Sequence, residues 1–136
     1  MRLLIDTQIF IWSVLDSELL CSKARGIMLD ADRVYVSAAS IWEIAIKSNI
    51  GKLEGNPHEF SMAIAQSGFR DLVITSRHAA FVHDLPLHHR DPFDRILVAQ
   101  AICEPMRFLT ADRMLGRYRS GVNCCQIISS PALSGL

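Results

Sequence analysis

Short, almost wholly apolar runs alternate with segments of helical spacing along the whole chain, and this alternation restricts the fold more than any other feature. Leu3 to Ile5 is too brief for a helix, and Asp6 and Thr7 after it are capping residues for a helix over Gln8 to Leu15. A second helix starts near Ser22, with Ala24, Ile27 and Met28 at i, i+3 and i+4, and Val34 to Val36 reads as a strand stopped by Ser37. From Ala38 to about Asn49 the apolar positions again repeat with helical period, and Gly51 stands where a helix C-terminus wants a glycine. Asn56, Pro57 and Glu59 supply an N-cap, a first-turn proline and a first-turn acid for a helix running to about Ser67, which Gly68 ends.

Leu72 to Thr75 reads as a third strand, with Ser76 capping a short helix that holds Ala79, Ala80 and Val82. Asp91 and Pro92 give the clearest helix start in the chain, ahead of Phe93, Ile96, Leu97 and Ala101, and Pro105 closes that helix. Phe108 and Leu109 form a fourth strand, Asp112 caps a short helix, and Cys124 to Ile128 gives a fifth strand. Apolar strands alternating with helices predict an α/β fold: one domain over residues 1–136, with a parallel sheet of four to five strands covered by helices on both faces.

Bulk numbers exclude several classes. At 136 residues the chain can bury about two-thirds of its unfolded surface, so folding requires no disulfide or structural metal. Lys plus Arg and Asp plus Glu each number 14, which excludes a protein that coats nucleic acid by charge alone. Apolar runs such as Ile9 to Trp12 fall far short of the roughly 20 residues of a membrane span, and the first residues lack the apolar core of a secretory signal. A cytoplasmic location is therefore expected. Cys21, Cys103, Cys124 and Cys125 form no C-x-x-C pair and read as reduced thiols.

The acids carry the chemical information. In a parallel sheet the strand C-termini share one edge, and ligands bind outside that edge where the strand order reverses. Asp6 follows the first strand, Asp112 follows the fourth, Asp94 is in the first turn of the helix after Asp91, and Glu43 lies on an otherwise apolar helical segment. Each has an ordinary explanation. Asp6, Asp91 and Asp112 can be N-caps, Asp94 suits a helix dipole, and Glu43 completes an S-x-x-E capping box with Ser40. Taken together they are harder to dismiss, because two carboxylates about 4 Å apart repel by about 4 kcal/mol at an effective dielectric of 20. Converging acids need protons or a cation. An all-oxygen donor set suits Mg²⁺ or Mn²⁺, and the matching chemistry is phosphodiester hydrolysis by an activated water.

Four stretches, LLIDTQIFIW at 3–12, VSAASIWEIAIKSNIGKL at 36–53, HHRDPFDRILVAQA at 88–101 and FLTADRML at 108–115, make the chain resemble a PIN-domain protein of the VapC type. Such proteins are the toxin half of type II toxin–antitoxin pairs. The resemblance implies a Mg²⁺-dependent endoribonuclease, with Mn²⁺ able to substitute, that cuts single-stranded or loop RNA to leave a 5′-phosphate and a 3′-hydroxyl. It also implies a VapB-type antitoxin and a homodimer. The family acids map onto Asp6, Glu43, Asp94 and Asp112, the first, third and fourth as metal ligands and Glu43 as a ligand or the group orienting the attacking water. Thr7 and Thr110 are expected to hydrogen-bond these carboxylates, and Asp91 stays a structural cap. Gln8 stands where this subgroup often has histidine.

Setting the four acids aside leaves 10 acids against 14 Lys and Arg, a formal charge of +4 for the rest of the chain. Arg90, Arg95, Arg113 and Arg117 are the substrate-binding candidates, with Arg119 and Tyr118 nearby, although a solvated arginine face gives the same spacing. His88 and His89 read as exposed loop residues, and Trp12, Trp42 and Phe93 as core or subunit-interface residues. Two other functions stay open. One is a non-catalytic RNA-binding module of the same fold. The other is a haloacid-dehalogenase-like phosphatase using Asp6 as nucleophile, a pattern that wants an aspartate at residue 8.

Overall fold

The computed structural model describes residues 1–86, 91–111 and 126–128. Its elements run β1 (Arg2–Ile5), α1 (Thr7–Val14), α2 (Ser22–Asp30), β2 (Arg33–Ser37), α3 (Ala38–Asn49), α4 (Pro57–Gln66), β3 (Arg70–Leu72), α5 (Ser76–Phe81), a 3₁₀ turn (Val82–Asp84), α6 (Pro92–Cys103), β4 (Arg107–Thr110) and β5 (Gln126–Ile128). The strands form one sheet in the order β3-β2-β1-β4-β5. The first four are mutually parallel, with Leu4 beside Tyr35 and Phe108, whereas β5 runs antiparallel to β4. The expected α/β fold is observed, and the antiparallel edge strand departs from an all-parallel sheet.

Strand alternation divides the core in two. Leu3 and Ile5 face α1, α2 and α4, packing with Ile9, Phe10, Ala24, Phe60 and Ile64. Leu4 faces the other way and packs with Leu97, Val98, Ala101, Met106 and Phe108. The central strand is therefore apolar on both sides, as a doubly covered strand must be.

Several local features differ from the sequence reading. β3 ends at Leu72, and Val73 and Ile74, which were expected in the strand, are exposed. Thr75 rather than Ser76 caps α5, accepting from the His78 amide while His78 Nδ1 accepts from the Thr75 amide. On α5 it is His78 that is buried, not Ala79 or Ala80. Its Nε2 meets Glu104 Oε1 at 2.8 Å, which joins α5 to the C-terminal end of α6. Ser37 caps α3 through the Ala39 amide, so Ser40 and Glu43 do not form a capping box. Trp42 is 61% exposed, its ring edge-on to Phe93 with centroids 5.2 Å apart, and it is not a core residue. No helix among the described residues is long and apolar enough to cross a membrane.

Candidate active site

Strand order reverses at β1, since β2 and β3 lie on one side of it and β4 on the other. A crevice opens at the strand C-termini at such a point. Asp6 stands there, directly after Ile5, and its amide extends the ladder to the Leu109 carbonyl at 3.0 Å. Only 4% of Asp6 is exposed. Its Oδ1 accepts from the Ile9 amide at 2.7 Å, which caps α1, and its Oδ2 accepts from the Thr110 hydroxyl at 2.7 Å and the Ala111 amide at 2.9 Å. One carboxylate thus ties β1, α1 and the end of β4 together, and both its oxygens are fixed. The cap and the candidate ligand are the same side chain.

Glu43 reaches the same place from the second turn of α3. It is 7% exposed, and its Oε2 accepts from Lys47 Nζ at 2.6 Å. A buried carboxylate is costly without a partner, and here a lysine one helical turn later supplies the positive charge. Glu43 four residues N-terminal to Lys47 is also the favoured helix orientation for such a pair. The Glu43 hydrogen bond raises the Lys47 ammonium above its ordinary value; partial burial opposes this, while the charges of Glu43, Asp91 and Asp94 add to it. Asp91 caps α6 through the Phe93 and Asp94 amides at 2.8 and 3.4 Å, and Asp94 occupies the first helical turn.

These groups line one cavity of about 430 Å³, with Asp6, Glu43, Asp91 and Asp94 on its wall beside Gln8, Lys47 and Lys52. The structure therefore brings together three of the four expected acids, from β1–α1, α3 and α6, and adds Asp91. Asp112 lies outside the described residues. Among the described residues no three acids close tightly enough to cage a cation. Among the described residues the acidic groups on the wall are all carboxylates, without cysteine or histidine. That chemistry fits a hard divalent ion, which commonly keeps several waters and takes only one or two carboxylates directly.

The supporting residues divide. Thr110 bonds Asp6 as described, whereas the Thr7 hydroxyl donates to Ser40 Oγ at 3.0 Å rather than to a carboxylate. Both residues of that bond are buried, so it locks the start of α1 to the start of α3 and fixes Asp6 relative to Glu43. Arg95, expected at the substrate, instead donates to the carbonyls of Pro86 at 2.8 Å and Val82 at 2.9 Å. It joins the start of α6 to the carbonyls of the 3₁₀ turn and the residues just after it. Arg90, Arg113 and Arg117 lie outside the described residues, as do His88, His89, Tyr118, Arg119, Cys124 and Cys125. Sequence reasoning missed Lys47 and Lys52. The Glu43–Lys47 spacing was the available signal.

Residues 3–120 match the PIN domain family model. The chain belongs to the PIN domain family. PIN domains are generally nucleases. A solved structure of VapBC2 from Rickettsia felis, bound to a DNA fragment from their promoter, shares the fold with a TM-score of 0.61. At 10% identity the two align over 83% of this chain and 89% of that one. No curated protein matches the chain in sequence.

Proposed function

We propose that this PIN-domain protein is a VapC-type toxin, a Mg²⁺-dependent endoribonuclease that acts in the cytoplasm and is held inactive by a VapB-type antitoxin. One observation carries this reading: acids from three separate elements line a single cavity at the switch point of the sheet. Asp6, Asp94 and Asp112 are the proposed metal ligands, and Glu43 a ligand or the group that orients the attacking water. A bound divalent ion would supply charge neutralisation at the phosphate and lower the pKa of a water. Asp6 is held ready for that task by Ile9, Thr110 and Ala111, so little reorganisation is needed on loading. Glu43, 7% exposed on the wall of the same cavity, would act there as a ligand or by orienting the water. Lys52 and Gln8 border the same space and are suited to a phosphate and a polar substrate group. Arg90, Arg113 and Arg117 remain substrate-binding candidates from the sequence.

The shared fold with a VapBC pair supports a VapB-type partner. An apolar groove lined by Val14, Leu15, Phe60, Met62 and Ala63 offers such a partner a seat. Trp42, Ile46 and Ile50, exposed at i, i+4 and i+8 on and just after α3, are the proposed homodimer contact.

The test is cleavage of RNA by the purified chain. Cleavage should require Mg²⁺ or Mn²⁺, stop with EDTA, and fall at least about 100-fold in Asp6→Asn, as expected when a charge-stabilising group is lost. Wild-type cleavage by Asp6→Asn would refute the assignment, and metal-independent binding without cleavage would favour a non-catalytic RNA-binding module.

A further inference from the structure

Most Glu–Lys pairs one turn apart on a helix are solvated on both sides and contribute little. The pair on α3 is different. The Glu43 side chain is 9% exposed and that of Lys47 47%, so the lysine reaches inward over a sheltered carboxylate. The two are 2.6 Å apart on the wall that Asp6, Asp91 and Asp94 also form. Lys47 is held at its other end as well. Its carbonyl accepts from the Lys52 and Leu53 amides at 2.9 and 3.2 Å, where Gly51 takes a φ of 77° that few other residues adopt and reverses the chain. Ser48 Oγ donates to the Gly55 carbonyl at 2.7 Å and closes the same turn. These bonds tie down the backbone beneath the ammonium, and among the described residues the ammonium is the cation paired with Glu43.

We infer that Lys47 is the resident counter-ion of the acidic cavity, which neutralises Glu43 while the site holds no divalent ion and must release it when one enters. Lys47 thus competes with the ion for the same carboxylate. This inference rests on the metal-site reading proposed above. It explains how a carboxylate can be sheltered on the cavity wall before an ion binds, since burying an unpaired carboxylate is costly. It also gives a definite sign. Removing a positive charge that opposes the incoming ion should strengthen ion binding, whereas removing a residue that merely orients Glu43 should weaken it.

Mn²⁺ binding by calorimetry to the full chain, as wild type, Lys47→Gln and Lys47→Arg, separates these outcomes. Lys47→Gln should bind Mn²⁺ about tenfold or more tightly than wild type, as expected from losing a neighbouring charge at short range. Lys47→Arg, which keeps the charge, should stay within about threefold. Equal or weaker binding by Lys47→Gln overturns the inference while leaving the metal site intact. Failure of the wild type to bind Mn²⁺ at all overturns both. Should Lys47→Gln not fold, the wild type answers alone. The ¹⁵N-ammonium resonance of Lys47, shielded by its pair with Glu43 in EDTA, should broaden or shift on saturating Mg²⁺, and an unchanged resonance contradicts displacement.

Discussion

Thr110 donates its hydroxyl hydrogen to Asp6 Oδ2 at 2.7 Å, joining residues 104 positions apart in sequence at the ends of two neighbouring parallel strands. Thr110 is completely buried, so its hydroxyl has no water to turn to. Hydrogen bonds to a charged group contribute about 1.5–3 kcal/mol. Thr110→Val, similar in shape but without the donor, should lower stability by about 1–2 kcal/mol in urea unfolding. The same change should weaken Mn²⁺ binding about tenfold or more, in line with the loss of an outer partner of a metal ligand. Thr110→Ser, which restores the hydroxyl, should recover most of the metal affinity. Undiminished affinity in Thr110→Val would show that Asp6 is held adequately by Ile9 and Ala111.

Arg95 gives a test of placement. Its guanidinium holds the carbonyls of Val82 and Pro86, so Arg95→Ala should destabilise the protein by about 1–3 kcal/mol through the loss of hydrogen bonds from a charged donor. KM for a short RNA should be unchanged. A raised KM with unaltered thermal stability would return Arg95 to the substrate-binding role the sequence suggested.

His78 is 1% exposed, bonds the Thr75 amide through Nδ1 and meets Glu104 through Nε2. His78→Ala should cost about 3 kcal/mol in equilibrium unfolding, combining a cavity with broken hydrogen bonds. A cost below about 1 kcal/mol would mean that the α5–α6 join does not depend on this ring.

Burial pushes the Cys103 thiol above its ordinary value, with the Glu104 charge adding and that of Arg77 opposing. A raised value leaves less thiolate at neutral pH, and the thiolate is the reactive species. Site-resolved alkylation at pH 8 should therefore modify half-buried Cys21 well before Cys103. Equal rates would contradict the described environment.

Much of the fold was readable because its strongest signals are local. Asp91 followed by Pro92 fixes the start of α6, and the helical period from Ala38 to Asn49 reproduces α3 residue for residue. The third strand was misplaced because Val73 and Ile74 are apolar yet exposed, and composition cannot tell a sheet edge from the loop beyond it. His78 was passed over because alanines resemble a core face, whereas its burial depends on a partner 26 residues away. At the site, the apolar setting of Glu43 pointed to a buried carboxylate in need of a partner. That Lys47 is this partner was not legible, because whether its side chain faces solvent or the cavity depends on how α3 meets α6. Arg95 is a related case: spacing places a guanidinium near a motif, but its carbonyl partners at Val82 and Pro86 are visible only in three dimensions.

The most direct test of the central claim is anomalous diffraction at the manganese edge from crystals soaked in Mn²⁺. A manganese peak is expected within the cavity lined by Asp6, Glu43 and Asp94, and Asp6→Asn crystals should lose it. A peak confined to other surfaces, or a cavity peak undiminished in Asp6→Asn, would contradict a divalent-ion site built from these acids.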